Sequence, residues 1–157
     1  MATAKWGALG GWDVSEVKDM SKAFSKDRSD KADGYSANGN PKVASFVGTG
    51  LENWKTGSVT SLERTFLGAT SFVGTGLEKW ITTSLTTLQY TFSGATAMNA
   101  GLGMWDTTMV NSLSGTFHIA KAFVGTGIDK WDTGSVTDLG KTFISARVMN
   151  ANLGGWV

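Results

Sequence analysis

Apolar side chains recur along the chain at one spacing, and tryptophan marks that spacing most clearly. After Trp6, tryptophan stands at positions 12, 54, 80, 105, 131 and 156, so the gaps are 42, 26, 25, 26 and 25 residues. Twelve residues after each of the first five stands a phenylalanine, at positions 24, 66, 92, 117 and 143. The chain is therefore an array of like modules. Because one module is too small to bury its own apolar residues, neighbouring modules must stack.

Two periodicities follow each other inside a module. After the tryptophan, apolar residues step by three, four and three, as at Val59, Leu62, Phe66 and Ala69, which predicts one face of a short helix. Thr60 and Glu63 have the spacing of a capping box at the start of that helix. Before the tryptophan, a short segment flanked by glycine is too short for a helix and predicts a short strand or an extended segment. The expected fold is an α/β repeat solenoid, a leucine-rich-repeat-like right-handed coil with one short parallel strand and one short helix per turn of 25–26 residues.

The spacing also predicts the domain organisation, a single repeat domain over residues 1–157. Turns are expected at about 6–24, 51–72, 77–98, 102–123 and 128–149, with a half turn at 153–157. The gap of 42 residues is one period of 26 plus 16 more, so a polar loop is inserted at about 25–45. We expect Trp6 to fold over the first turn and the last half turn to leave an open apolar end. Two interpretations of that end stay open: the chain is a fragment, or the end docks on a neighbour.

Composition and charge narrow the possible partners. The chain has 14 Lys and Arg against 13 Asp and Glu, no Cys and one His, His118. A balanced charge gives no electrostatic reason to expect nucleic acid. No apolar run approaches the roughly 18 residues of a membrane span, and no signal peptide is visible at the N-terminus. With no nucleophile motif and no second histidine, we expect no catalytic residue, no metal and no cofactor.

The candidate partner-binding residues are charged side chains next to the tryptophans. Glu52, Glu78 and Asp129 stand two residues before a tryptophan, with Lys79 and Lys130 beside them. A solvated face explains them more simply, and a binding face is the sharper interpretation. Aspartates directly after tryptophan are expected to accept backbone N–H groups in a turn; they are Asp13, Asp106 and Asp132.

Threonine forms two further columns, two and eleven residues after tryptophan. They comprise Thr56, Thr82, Thr107 and Thr133, and Thr65, Thr91, Thr116 and Thr142. A flat threonine array on the surface would suit ice binding. Positions in turns and on the predicted helix explain both columns more simply.

Residues 51–66 (LENWKTGSVTSLERTF) and 131–143 (WDTGSVTDLGKTF) resemble the BspA-like leucine-rich repeats of bacterial and mycoplasma surface proteins. The resemblance implies an extracellular or cell-surface protein that binds a protein partner, with no ligand common to the family. We expect a non-catalytic protein-interaction, adhesion or scaffold module. Two alternatives are a small accessory subunit docked on a larger assembly through its open end, and a carbohydrate- or ice-binding solenoid.

Overall fold

The computed structural model describes residues 7–28 and 39–156, where the chain forms a stack of similar turns. Single-residue parallel bridges join five consecutive turns in one line, at Asp19, Ser61, Thr87, Ser112 and Asp138. Five short 3-10 helices are the only helical elements of the described residues: Leu9–Gly11, Pro41–Ser45, Leu51–Asn53, Leu77–Lys79 and Ile128–Lys130. Trp6, residues 29–38 of the insertion and Val157 lie outside the described part of the chain. Positions within a repeat are counted from its tryptophan, which is position 0.

Two aromatic columns run through the interior of the stack. Neighbouring tryptophan rings from Trp12 to Trp156 are stacked with centroids 6.1–6.5 Å apart. The phenylalanines at position 12 follow the same course, with centroids 5.6–5.7 Å apart. The rings of Phe66, Phe92 and Phe117 are fully buried. The predicted stacked aromatic interior is therefore confirmed, and ring contacts between repeats add to the burial energy.

The polar end of each indole is used inside the same stack. An aliphatic residue stands three positions before each tryptophan from Trp12 to Trp156. From Trp54 onward, each indole Nε1–H donates to the main-chain oxygen of that residue in the preceding repeat, over 2.8–3.0 Å. Trp105, for example, donates to the oxygen of Leu77. A buried N–H without a partner would cost roughly 1–3 kcal/mol. This bond therefore ties each of these five tryptophans to the repeat before it.

The predicted helix is wrong. In the second repeat the N–H groups of Arg64, Phe66 and Gly68 donate to oxygens of the following repeat over 2.8–2.9 Å. The residues between them close tight turns, each N–H bonding to the oxygen three residues earlier. Arg64 and Gly68 have φ of 54° and 74°, left-handed values that an α-helix of L-residues does not contain. The apolar spacing of three and four is produced by successive tight turns that each place one side chain inward.

The predicted strand and capping box are also wrong. The segment before Trp80 is the 3-10 helix Leu77–Lys79, and parallel pairing occurs instead at one residue per repeat, seven positions after the tryptophan. The Thr60 hydroxyl donates to the oxygen of Lys18 in the preceding repeat, 3.1 Å away, and caps no helix. The α/β, leucine-rich-repeat-like coil of strands and helices is therefore contradicted across the described residues. Instead, each repeat consists of tight turns. Along them, successive backbone N–H groups donate alternately to an oxygen of the same repeat and to an oxygen of the neighbouring repeat.

Both threonine columns are buried, so neither forms a surface array. Thr56 donates its hydroxyl to the oxygen of Ile81 and accepts the N–H of the same residue, over 3.0 and 2.9 Å. Thr91 donates to the oxygens of Leu62 and Leu88. These hydroxyls satisfy main-chain groups of adjoining turns. No buried side-chain nitrogen or oxygen of the described residues lacks a partner.

The insertion leaves the stack continuous. The N–H of Lys26 donates to the oxygen of Leu67 in the next repeat, and the N–H of Asn40 donates back to the oxygen of Lys26. Phe46 then packs on Phe24 with centroids 4.3 Å apart. The corresponding pairs without an insertion are 4.2 and 3.9 Å apart. The described ends of the insertion thus return the chain to the place that an uninterrupted repeat would reach.

The glycines of the corners yield a testable contrast. Gly76 has a φ of 91°, and a Cβ there would lie 2.6 Å from the backbone nitrogen of Glu52. At Gly57, φ is not left-handed and the nearest atom to a Cβ would be 3.8 Å away, on Ile81. We expect Gly76→Ala to lower the free energy of unfolding by about 2 kcal/mol or more, and Gly57→Ala to change it by about 0.5 kcal/mol at most. Urea denaturation measures both, and equal losses would contradict the close approach of turns at Gly76.

Candidate interaction surface

Two of the predicted binding carboxylates also shape the corners. Glu52 accepts the N–H of Gly50, and Glu78 accepts the N–H of Gly76, each through Oε2 at 3.0 Å. Both bonds reach back two residues and hold the left-handed glycine that precedes each 3-10 helix. These carboxylates therefore have a structural role beside any role in binding. Glu78 nevertheless lies on the exposed surface, while Glu52 is half-buried.

The predicted lysines share one column with an exposed methionine. Lys79 and Lys130 stand directly before their tryptophans, and Met104 holds the same position in the repeat between them. All three are exposed, and Met104 has 78% of its surface accessible. Ile81, just after Trp80, is 56% exposed. Large apolar side chains of this exposure, flanked by charges, are typical of interaction surfaces when they lie close together.

The predicted set of residues is distributed along this face. Glu52, Glu78 and Lys79 belong to two adjoining repeats. Asp129 and Lys130 lie on the exposed surface two repeats further along. Met104 stands in the repeat that separates the two groups. We call the five predicted residues together with Ile81 and Met104 the tryptophan face.

Sequence reasoning missed Ile81 and Met104. Both occupy positions where the other full repeats carry polar or small residues, so an apolar residue there departs from the pattern. That departure could have indicated an exposed apolar residue, because the repeat pattern requires apolar residues only at the positions that point inward. The described residues contain no group of three or more His, Asp or Glu that could hold a metal ion. His118 is half-buried, with its Nδ1 3.3 Å from the hydroxyl of Ser93.

The aspartates after tryptophan close turns, as predicted. A carboxylate oxygen accepts the N–H two residues ahead, over 2.9–3.0 Å, at Asp13, Asp106 and Asp132. The backbone N–H of Ser15 lowers the pKa of Asp13 below its ordinary value of 3.8. The hydroxyl and N–H of Thr108 lower the pKa of Asp106, and Ser21 does the same to Asp19. Hydrogen bonds favour the charged carboxylate in each case.

These shifts predict how stability responds to acid. Because the pKa is lower in the folded than in the unfolded chain, the stabilisation is present above about pH 4 and is lost as pH falls through the folded pKa. Asn152 makes the same bond, to the N–H of Gly154, without titrating. We therefore expect the triple variant D13N/D19N/D106N to lose less stability than the wild type between about pH 5 and pH 2.5. Urea midpoints at the two pH values test this, and equal losses would contradict it.

An apolar groove lies at the last described repeats. It encloses about 450 Å³ and is lined by Leu139, Lys141, Thr142, Phe143, Ile144, Leu153 and Trp156. Phe143 and Trp156 are half-buried there, whereas their counterparts in the middle of the stack are buried.

No helix of the described residues is both long enough and apolar enough to pass through a membrane.

The two aromatic columns, the indole hydrogen bonds and the bridges between consecutive turns define a protein of stacked turns. The chain belongs to the family described as "Mycoplasma protein of unknown function, DUF285", whose model matches residues 2–35 and 35–156. No curated protein and no solved structure matches the chain.

Proposed function

We propose that the protein is a non-catalytic protein-interaction, adhesion or scaffold module that binds a protein partner through the tryptophan face. The observation that carries the proposal is the exposure of Met104, at 78%, between Lys79 and Lys130 in one column. Apolar anchors surrounded by polar residues supply most of the energy of protein interfaces. Ile81 lies on the same face and provides a second anchor.

The rigid interior supports this proposal. Side chains on the tryptophan face leave the chain beside indoles that are buried and hydrogen-bonded to the preceding repeat. Their backbone is therefore held in place before any partner arrives, which reduces the entropy lost on binding. Glu78 is likewise oriented by its bond to Gly76.

The predicted resemblance to BspA-like surface repeats also supports an adhesion role. Under that proposal the tryptophan face meets a protein outside the cell. The accessory-subunit alternative is favoured by a different observation, the apolar groove at Phe143 and Trp156. The two are distinguished by which residues a partner contacts.

Photo-crosslinking tests the proposal in cells of the source organism. A crosslinking amino acid at position 104 or 81 is expected to capture the same protein, and one at position 148, which is also exposed, is expected to capture none of it. Met104→Asp should reduce recovery from position 81 at least about tenfold, since loss of an interface anchor costs about 1–2 kcal/mol or more. Met109→Asp is the matched control, because Met109 is 56% exposed and lies outside the face. Capture from position 148 alone, or equal effects of the two variants, would overturn the proposal.

A further inference from the structure

One column on the opposite half of each turn has a backbone that disfavours its own side chains. Position 10 is left-handed in all five repeats, with φ between 52° and 62°. Glycine adopts this conformation freely, whereas other residues are strained in it. The fold accepts glycine there, since Gly115 occupies the position in the fourth repeat. The other repeats carry Lys22, Arg64, Tyr90 and Lys141, which we call the basic row.

Strain by itself does not identify a site, because position 14 is also left-handed and holds Gly68, Gly94, Ile119 and Ser145. The basic row differs in its chemistry. Three of its four side chains are cations and the fourth is an aromatic ring that partners a cation. A side chain in a strained backbone conformation marks a candidate functional position, and here the shared chemistry of the four side chains is the second observation.

The centre of the basic row is a groove that brings two cations, Lys26 and Arg64, beside the carboxylate of Asp27. Arg64 also pairs with Glu63, with its Nε 3.5 Å from Oε1. The Arg64 guanidinium carbon lies 5.6 Å from the centroid of the Tyr90 ring. The Tyr90 ring in turn covers Gly115, where a Cβ would overlap it. Lys26 lies over Gly68 in a similar way, with its Cδ 2.7 Å from where a Cβ would stand. A groove of about 260 Å³ is lined by Lys26, Asp27, Arg64, Leu67 and Tyr90.

Charge is divided between the two halves of the turn. Among the described repeats, positions 6 to 17 carry eight Lys or Arg against four Asp or Glu. The half that includes the tryptophan face, from five positions before the tryptophan to five after it, carries three against seven. A nearly neutral chain thus has a basic side, and local fields of this kind attract anions to one surface.

We propose that the basic row binds a linear acidic polysaccharide that lies along the stack. Neighbouring turns are about 4.8 Å apart, so the row runs about 19 Å from Lys22 to Lys141. Lys22 and Arg64 stand one turn apart, and Lys141 lies three turns, or about 14 Å, beyond Arg64. The row therefore presents two adjacent cations and a third at its far end to the acid groups of one extended chain. One position earlier, Ser21 and Gln89 are half-buried beside the row and suit sugar hydroxyls, while the second repeat carries Glu63 there.

A protein partner would need an exposed apolar anchor, and in the groove at Arg64 and Tyr90 the aliphatic residue, Leu67, is buried. Exposed apolar residues, Leu139 and Ile144, stand beside Lys141 at the far end of the row, outside this groove. A nucleic acid base would need a free aromatic face, whereas Tyr90 contacts Arg64 and Gly115.

Calorimetric titration of the full chain tests the proposal at about 50 mM salt, where screening is weak. The probes are polygalacturonate for carboxylated chains, dextran sulfate for sulfated chains, and neutral dextran. We expect binding to at least one acidic polymer and none to dextran. Which of the two acidic polymers binds identifies the acid group.

The decisive variant is K22G/R64G/K141G, in which glycine suits the left-handed backbone, so that the fold is retained; the thermal midpoint verifies this. We expect its affinity for the acidic polymer to fall at least about tenfold. The matched control, K55Q/K79Q/K130Q, removes three cations from the opposite half and should keep the affinity within about twofold of the wild type. If the glycine variant unfolds, K22Q/R64Q/K141Q replaces it, with the same loss expected. Equal losses in the variant and the control, no binding of either acidic polymer, or tighter binding of polyglutamate or single-stranded DNA would overturn the proposal.

Discussion

Deletion of residues 81–105 is expected to leave a shorter protein that still folds cooperatively. The cut joins Trp80 to Asp106, so position 0 of one repeat is followed by position 1 of another, and both aromatic columns stay continuous. The loss of stability should be the share of one repeat. For 25 residues at roughly 0.05–0.15 kcal/mol each, that share is about 1–4 kcal/mol. Urea denaturation followed by tryptophan fluorescence measures the free energy and its cooperativity.

A smaller deletion supplies the control. Removing residues 81–93 takes out about half a turn and places Trp105 twelve residues after Trp80, where the repeat requires phenylalanine. Backbone carbonyl and N–H groups of the altered repeat would then lie opposite non-equivalent positions of the neighbouring repeats and could not form their usual hydrogen bonds. We therefore expect the chain to lose its cooperative unfolding transition. Stacking of like turns makes the larger cut the milder one. If the half-turn deletion folds as well as the full-turn deletion, the period has been misread.

The second large effect is expected at the centre of the phenylalanine column. Phe92 is fully buried and stacks between Phe66 and Phe117, with centroids 5.6 and 5.7 Å away. Phe92→Ala removes contacts with two neighbouring repeats and leaves a cavity between them. We expect the free energy of unfolding to fall by about 3–5 kcal/mol. Equilibrium unfolding in urea measures the loss.

Phe143→Ala is the matched control for that substitution. Phe143 holds the same position in the last full repeat, where it is half-buried and has a stacked phenylalanine on one side only. Its loss should cost about half as much, since roughly half of the buried surface is involved. Equal costs at the two positions would contradict a column whose stabilisation comes from neighbours on both sides.

The aromatic interior could be predicted from the sequence because it depends on spacing alone. Tryptophan and phenylalanine recur with the period of the turn, so equivalent rings of neighbouring turns can stack on one another inside the fold. The helix could not be excluded in the same way. Apolar steps of three and four fit a helix, and they also fit successive tight turns. The residues that decide between the two are Arg64 and Tyr90, whose left-handed backbone no residue preference indicates.

The candidate surface was predictable in part for a similar reason. Lys79, Lys130 and Asp129 stand at outward positions, and their exposure follows from the buried tryptophans beside them. The bond from Gly50 to Glu52 could not be foreseen, because it depends on the left-handed corner glycine. Met104 departs from the repeat in composition, and the basic row has charged or aromatic side chains on a left-handed backbone that glycine would adopt freely. Such departures carry surface chemistry that a repeat pattern does not describe.

Hydrogen exchange of the indole N–H groups tests the central claim most directly. In the stack, the indoles of Trp80, Trp105 and Trp131 are buried and bonded to main-chain oxygens of the preceding repeat over 2.8–3.0 Å. Their protons should therefore exchange only when the stack opens, with protection close to that of global unfolding. NMR of protein labelled with ¹⁵N at tryptophan follows each of them in heavy water. Exchange of these three indole protons at the rate of free tryptophan would show that the rings face water, and the stacked interior would be wrong.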